Sequence, residues 1–191
     1  ALLSGKKVIV STGTKHLQDQ LYDKDLPLLK KIFKYKPVTT ALLKGRSNYL
    51  CLYRIKTLRQ RGRFENKKQV DDFYRIERYA GQDETGDITK LENFQDSTLA
   101  SHVTSTTENC LHTECPDYEE CFIFKARKKA MDADIIVINH HLFCADLSLK
   151  QEGFGELLPE ADSIIIDEAH QLAETAGLFF SEQIGTKMFS D

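Results

Sequence analysis

The stretch Ser163-Ile164-Ile165-Ile166-Asp167-Glu168-Ala169-His170 decides how the rest of the chain reads. Three consecutive isoleucines predict a strand buried on both faces, as in a parallel sheet with helices on either side. Two carboxylates follow where that strand ends, the edge at which open α/β sheets bind ligands. An aspartate there can hold Mg²⁺, directly or through water, and a glutamate can polarise an attacking water. Acids after a buried strand also suit the positive end of a following helix. Ala169 and His170, which complete D-E-A-H, favour the ion-and-water reading.

Working outward, the flanks repeat a strand-then-helix rhythm. Lys6 to Val10 reads as a strand, and Ser11-Thr12-Gly13-Thr14 turns it into a helix with Leu17 and Leu21 four apart and Thr14 as N-cap. Pro27 is expected to break or restart that helix before Leu28 to Phe33. A second strand is expected over Val38 to Leu43, with its turn at Gly45. A third, fully apolar one runs from Asp134 to Asn139, and His140-His141-Leu142-Phe143 opens the next helix. Strands separated by helices and long connections imply an α/β sandwich with parallel strands.

Residues 44 to 127 do not keep that rhythm. Helices are expected up to Arg61, over Val70 to Tyr79 and over Glu119 to Met131. A polar loop from Gly81 to Thr107 carries one short helix near Ile88 to Phe94. This reads as a mainly helical insertion with too few apolar residues for a large core.

The 191 residues allow one or two domains, and 41% hydrophobic with 29% charged residues suits a soluble globular chain rather than a disordered one. No run has the length of a membrane span, and no signal peptide is read at the start. Ala1-Leu2-Leu3-Ser4-Gly5 resembles a helix tail, so a longer parent protein is expected. Net charge is −3, yet Lys44 to Lys68 holds nine Lys or Arg against Glu65 alone. Gln69 to Cys121 holds thirteen acids against Arg75, Arg78 and Lys90. Such asymmetry lets a mildly acidic protein offer phosphates a positive face, although a solvated helix face gives the same pattern.

Cys51, Cys110, Cys115 and Cys121 fall inside the insertion, the last three spaced C-x4-C-x5-C, and Cys144 stands apart. Disulfides need an oxidising compartment, which a signal-free chain of this character does not suggest. Structural zinc usually takes two close cysteine pairs, and the second is missing here, though four thiolates can hold it regardless. An iron–sulfur cluster tolerates wider, irregular spacing. Unliganded thiols remain a further reading. Cys144 reads as a small core side chain.

Taken in order, strand–S-T-G-T–helix at Val8 to Gln18, K-G-R-S-N-Y-L-C at Lys44 to Cys51, C-x4-C-x5-C, I-N-H-H-L-F at Ile138 to Phe143 and D-E-A-H resemble one family. It is that of the iron–sulfur superfamily-2 DNA helicases related to XPD, in particular the bacterial DinG/YoaA branch. The resemblance covers essentially the whole chain. It implies a RecA-like P-loop helicase motor domain with a mainly helical iron–sulfur insertion, part of an ATP-dependent motor that unwinds DNA 5′ to 3′ in repair or replication. Residues 1–43 and 128–170 would belong to the first motor domain, 44–127 to the cluster domain, and 171–191 to the start of an arch domain.

By the same resemblance, Cys51, Cys110, Cys115 and Cys121 would ligate a [4Fe–4S] cluster. Asp167 and Glu168 would serve Mg²⁺ and water, and His170 would couple the ATP site to DNA-contacting motifs. Ser11 and Thr12 would hydrogen-bond the backbone of the translocating strand. Lys44, Arg46 and Tyr49 would line the path of single-stranded DNA by phosphate pairing and base stacking. The implied partners are single-stranded DNA, duplex and fork junctions, the rest of the helicase chain, and replication or repair proteins, in a bacterial cytoplasm at the nucleoid. No membrane partner is implied.

One family motif is missing: no G-x-x-x-x-G-K-[ST] occurs in these residues. The loop that cradles the phosphates is therefore expected upstream, and the 191-residue chain alone is expected neither to hydrolyse ATP nor to unwind DNA. The competing reading is a stand-alone nucleic-acid-binding module with structural zinc, in which D-E-A-H is coincidental.

Overall fold

The computed structural model describes residues 5–32, 37–91, 94, 98–153 and 157–181. In chain order its elements are β1 (Val8–Thr12), α1 (Lys15–Gln20), α2 (Leu26–Ile32) and β2 (Thr40–Leu42). Four helices follow: α3 (Leu52–Arg61), α4 (Lys67–Gln82), α5 (Ala100–Val103) and α6 (Phe122–Asp132). The chain closes with β3 (Ile135–Asn139), α7 (His140–Glu152), β4 (Ser163–Ile166) and α8 (Leu172–Phe180). Two compact units result, one from Ala1–Leu43 with Ala130–Asp191 and one from Lys44–Lys129.

The first unit is a parallel sheet in the order β2-β3-β1-β4. Val10 faces Val137 on one side and Ile165 on the other, so three strands stay in step and end together. Strand β3 is buried along its whole length, as its unbroken Ile-Ile-Val-Ile run requires. The expected N-cap Thr14 accepts from the Leu17 N–H at 3.2 Å, and Asn139, read only as the end of a strand, caps α7 by accepting from the Leu142 N–H at 2.9 Å.

Strand β4 departs from expectation. Ile164 and Ile165 are 48% and 52% exposed rather than buried on both faces. The strand lies at the end of the sheet, bonded to β1 alone, and successive side chains point to opposite faces, neither of which is covered there. Of the two outcomes expected at Pro27, a break or a restart, the structure shows a restart: α2 begins at Leu26. A π-helical turn over Leu21–Asp25 joins α1 to α2, with the Leu26 N–H bonding back to the Leu21 carbonyl. That longer step lets the chain pass a residue lacking a backbone donor. The expected end of this helix, Phe33, lies outside the described residues.

The segment from Gln171 was expected to open a separate arch domain. As far as Ser181 it belongs to the first unit, where the Phe179 ring meets the His141 ring edge-on, with centroids 5.8 Å apart. Residues 182–191 lie outside the described part.

The second unit has a core of its own, contrary to the reading of the insertion as core-poor. Tyr49, Leu50, Ile55, Phe73, Ile76, Phe94, Leu99, Val103, Phe122 and Ile123 pack into one buried cluster. These residues are scattered over some seventy-five positions, so no local window looked apolar. Helix α3 stops at Gly62, with φ of 58°. Gly86, with φ of 61°, lets the backbone press onto the Phe122 ring, where any Cβ would collide.

Candidate functional site

Two places concentrate chemistry, one in each unit. In the first, parallel strands bring three loops to the carboxyl edge of the sheet, after β1, β3 and β4. The Asp167 N–H donates to the Ser11 carbonyl at 2.8 Å, extending the β1–β4 pairing by one step and fixing where the acidic pair emerges. Asp167 is exposed and Glu168 half-buried. Glu168 adopts φ of 50°, a left-handed backbone that costs a non-glycine residue about 1 kcal/mol or more. Its carboxylate lies 3.4 Å from His170 Nδ1. Gly13 lies so close to the Gln171 side-chain amide that a Cβ there would strike it. The turn after β1 and the D-E-A-H turn are thus packed together.

Ser11 and Thr12 lie beneath that edge rather than on it; both are fully buried. The Ser11 hydroxyl is 2.7 Å from His140 Nδ1, and Thr12 Oγ1 donates to the Thr14 carbonyl at 3.2 Å. Their expected bonds to a DNA backbone are corrected accordingly: these hydroxyls brace the turn from inside. His140 was not among the expected site residues. It is buried, and its Nε2 has no partner among the described residues. Its placement required the β1–β3 pairing, which joins residues far apart in sequence.

In the second unit, Cys51, Cys110, Cys115 and Cys121 line one cavity of about 150 Å³ together with Arg46, Tyr118 and Arg127. Cys51 precedes α3, and its N–H is tied to the Val103 carbonyl at 2.7 Å. Cys115 and Cys121 flank a run of turns, with the Tyr118 N–H on the Cys115 carbonyl and the Cys121 N–H on that of Tyr118. The Cys110 sulfur accepts from Arg46 Nη1 at 2.8 Å and from the His112 N–H at 3.4 Å. His112 has φ of 49°. It and Glu168 are the two non-glycine residues with positive φ among the described residues, one in each candidate site.

Burial raises the Cys51 thiol pKa, and the charges of Cys121, Cys115 and Cys110 push the same way, against a hydrogen bond from the Arg54 backbone. Burial lowers the Arg127 pKa and the Arg46 charge lowers it further, while Cys110, Cys121 and Tyr118 pull it back up. Arg127 was missed in the sequence; its signal is its place on α6, six residues after Cys121. Among the described residues, no three His, Cys, Asp or Glu side chains gather as a single metal ion would need. Cys144 lies buried in the other unit, on α7.

Two of the three residues expected to line a DNA path are internal. Lys44 is 1% exposed, and its ammonium meets Asp87 at 2.7 Å and the Thr89 hydroxyl at 2.9 Å. Tyr49 is buried in the core, and its hydroxyl accepts from the Lys44 N–H at 3.0 Å. Both side chains turn away from solvent, because the basic run folds inward at its start. Arg46 points into the thiol cavity.

A parallel sheet delivering an acidic pair at its carboxyl edge, with a helical insertion between two of its strands, is the arrangement of a RecA-like helicase domain. A family model described as DEAD_2 matches residues 16–188, and the chain belongs to that family. It is 49% identical over its whole length to the ATP-dependent DNA helicase YoaA of Escherichia coli and 45% to that of Haemophilus influenzae. It is 32% identical over 95% of its length to the ATP-dependent DNA helicase DinG of Photobacterium profundum. The chain spans 30% of each YoaA relative and 27% of that DinG. Among the described residues, no helix is long and apolar enough to cross a membrane.

Proposed function

We propose that this chain is the part of a bacterial ATP-dependent DNA helicase that holds the hydrolytic acidic pair and an iron–sulfur centre. The observation that carries the motor reading is Asp167-Glu168 at the carboxyl end of β4, held by the Asp167–Ser11 backbone bond. Asp167, which is exposed, would take Mg²⁺. Glu168, in its strained turn with His170 beside it, would orient water. The names of the relatives support DNA as the polymer and ATP as the fuel. The phosphate-cradling loop, the direction of travel, and the repair or replication partners belong to this proposal and to the longer parent protein.

The four cysteines fit a [4Fe–4S] cluster by donor type, by number and by lining one cavity. Such a cluster is anionic with its thiolates, and Arg46, Arg127 and the His112 N–H supply positive charge and a donor at that cavity. No observation favours the single-zinc alternative. Bound there, the cluster would supply a rigid inorganic cross-link and redox chemistry, and Cys51, Cys110, Cys115 and Cys121 would each provide one sulfur.

The test uses the complete parent protein. Glu168→Gln should abolish DNA-stimulated ATP hydrolysis while ATP still binds, since Asp167 remains for Mg²⁺. Unchanged turnover in that variant would remove Glu168 from its role. Iron and sulfide in stoichiometric amounts support the cluster, whereas stoichiometric zinc without iron would replace it by the alternative.

A further inference from the structure

We propose that His140 is a positioning residue of the hydrolytic site, acting on Asp167 and Glu168 through Ser11. The two acids follow an edge strand, and Glu168 holds a left-handed backbone at φ of 50°. Such a conformation persists only where its surroundings over-determine it. Two backbone bonds hold the turn at either end. The Asp167 N–H donates to the Ser11 carbonyl at 2.8 Å, and the Gln171 N–H to the Glu168 carbonyl at 2.9 Å. The first bond is only as fixed as Ser11 itself.

His140 fixes Ser11. Its Nδ1 lies 2.7 Å from the Ser11 hydroxyl, and the ring is fully buried. The sheet sets this meeting: Ser11 is level with Ile138 and Thr12 with Asn139, so α7 starts with His140 one residue past that pairing. Strand β1 lies between β3, which leads to His140, and β4, which leads to the acids. Ser11 therefore takes the imidazole on its side chain and Asp167 on its backbone. Among the described residues Nε2 is buried without a partner. A buried ring nitrogen left unmet is destabilising where an apolar side chain would not be, so packing alone does not call for histidine here. The bond to Ser11 does. The next residue, His141, is exposed, with its ring against Phe179 instead. The role of His140 rests on the proposed motor reading, because the acids it steadies are the hydrolytic pair of that reading.

The test uses the complete parent protein, with kcat and KM for ATP measured at saturating DNA and Mg²⁺. His140→Ala should lower kcat about ten- to a hundredfold, as a shift of about 1 Å in a reacting group does, with KM for ATP within about twofold. His140→Asn, whose amide reaches the place of Nδ1, should recover most of the loss. Ser11→Ala should fall as His140→Ala does, and the double variant no further, since the two residues act as one unit. Should His140→Ala fail to fold, Ser11→Ala and His140→Asn carry the same comparison. His141→Ala should keep the wild-type kcat. A loss of kcat that follows the melting temperature and that asparagine does not restore would make His140 a packing residue and overturn the proposal. Losses that multiply in the double variant would overturn it too. Unchanged kcat in both single variants, with Glu168→Gln still inactive, would overturn it and spare the motor reading. A wild-type parent without DNA-stimulated ATP hydrolysis would overturn both.

Discussion

Arg46 donates a 2.8 Å hydrogen bond to the Cys110 sulfur, joining the residue five before the first cysteine to the second. A charged donor on a thiolate favours the more negative state of whatever the sulfur holds. In iron-loaded protein, Arg46→Ala should therefore move the reduction potential to more negative values and speed loss of iron to a chelator. Arg46→Lys should do so less. Redox titration followed by visible absorbance checks both; an unchanged potential in Arg46→Ala would show that this bond is not made to a cluster ligand.

The four thiols around one cavity and the fifth in the other unit predict opposite responses. Cys115→Ser should lose most of the bound iron. Because the insertion has its own apolar core, its helical circular dichroism should largely survive. Cys144→Ser should keep all the iron and cost about 1 to 2 kcal/mol of unfolding free energy, for a hydroxyl placed in a buried site. Iron analysis beside denaturant titration separates the two; equal iron loss would mean the ligands are misassigned.

Lys44 and Asp87 form an ion pair away from solvent. Removing one member strands the other, so Lys44→Met should destabilise the chain by about 3 to 5 kcal/mol. Replacing both, as Lys44→Met with Asp87→Leu, should recover much of that. If Lys44 were instead a phosphate contact at the surface, Lys44→Met would leave the unfolding midpoint in place and weaken only DNA binding.

The two isoleucine-rich strands should also part company. Ile136, fully buried in the centre of the sheet, should cost about 2 to 5 kcal/mol when changed to alanine. Ile164 keeps roughly half its surface in water, and Ile164→Ala should cost about 1 kcal/mol or less in the isolated 191-residue chain. Urea unfolding of the two variants measures the difference. Similar losses would mean that β4 is covered in solution.

Much of the frame was legible because it depends on local pattern. Thr14 sits where a helix N-cap must, the basic helix runs to Arg61 as expected, and an unbroken apolar run made β3 a buried strand. The four cysteines and D-E-A-H were visible as residue types whose chemistry is specific. What failed was assignment by neighbourhood. Lys44 and Tyr49 follow a strand and open a basic run, which in sequence looks like surface, yet both fold inward.

The order of strands and helices, the parallel sheet, the acidic turn and the helical character of the insertion were determined by the sequence alone, since each is written within a few successive residues. Only the tertiary structure decided which groups meet. Lys44 finds Asp87 43 residues away, and Ser11 finds His140 129 residues away. Burial, and with it the choice between a solvated cation and an internal one, depends on those distant partners. It also put β4 at an edge and closed a core from scattered apolar residues.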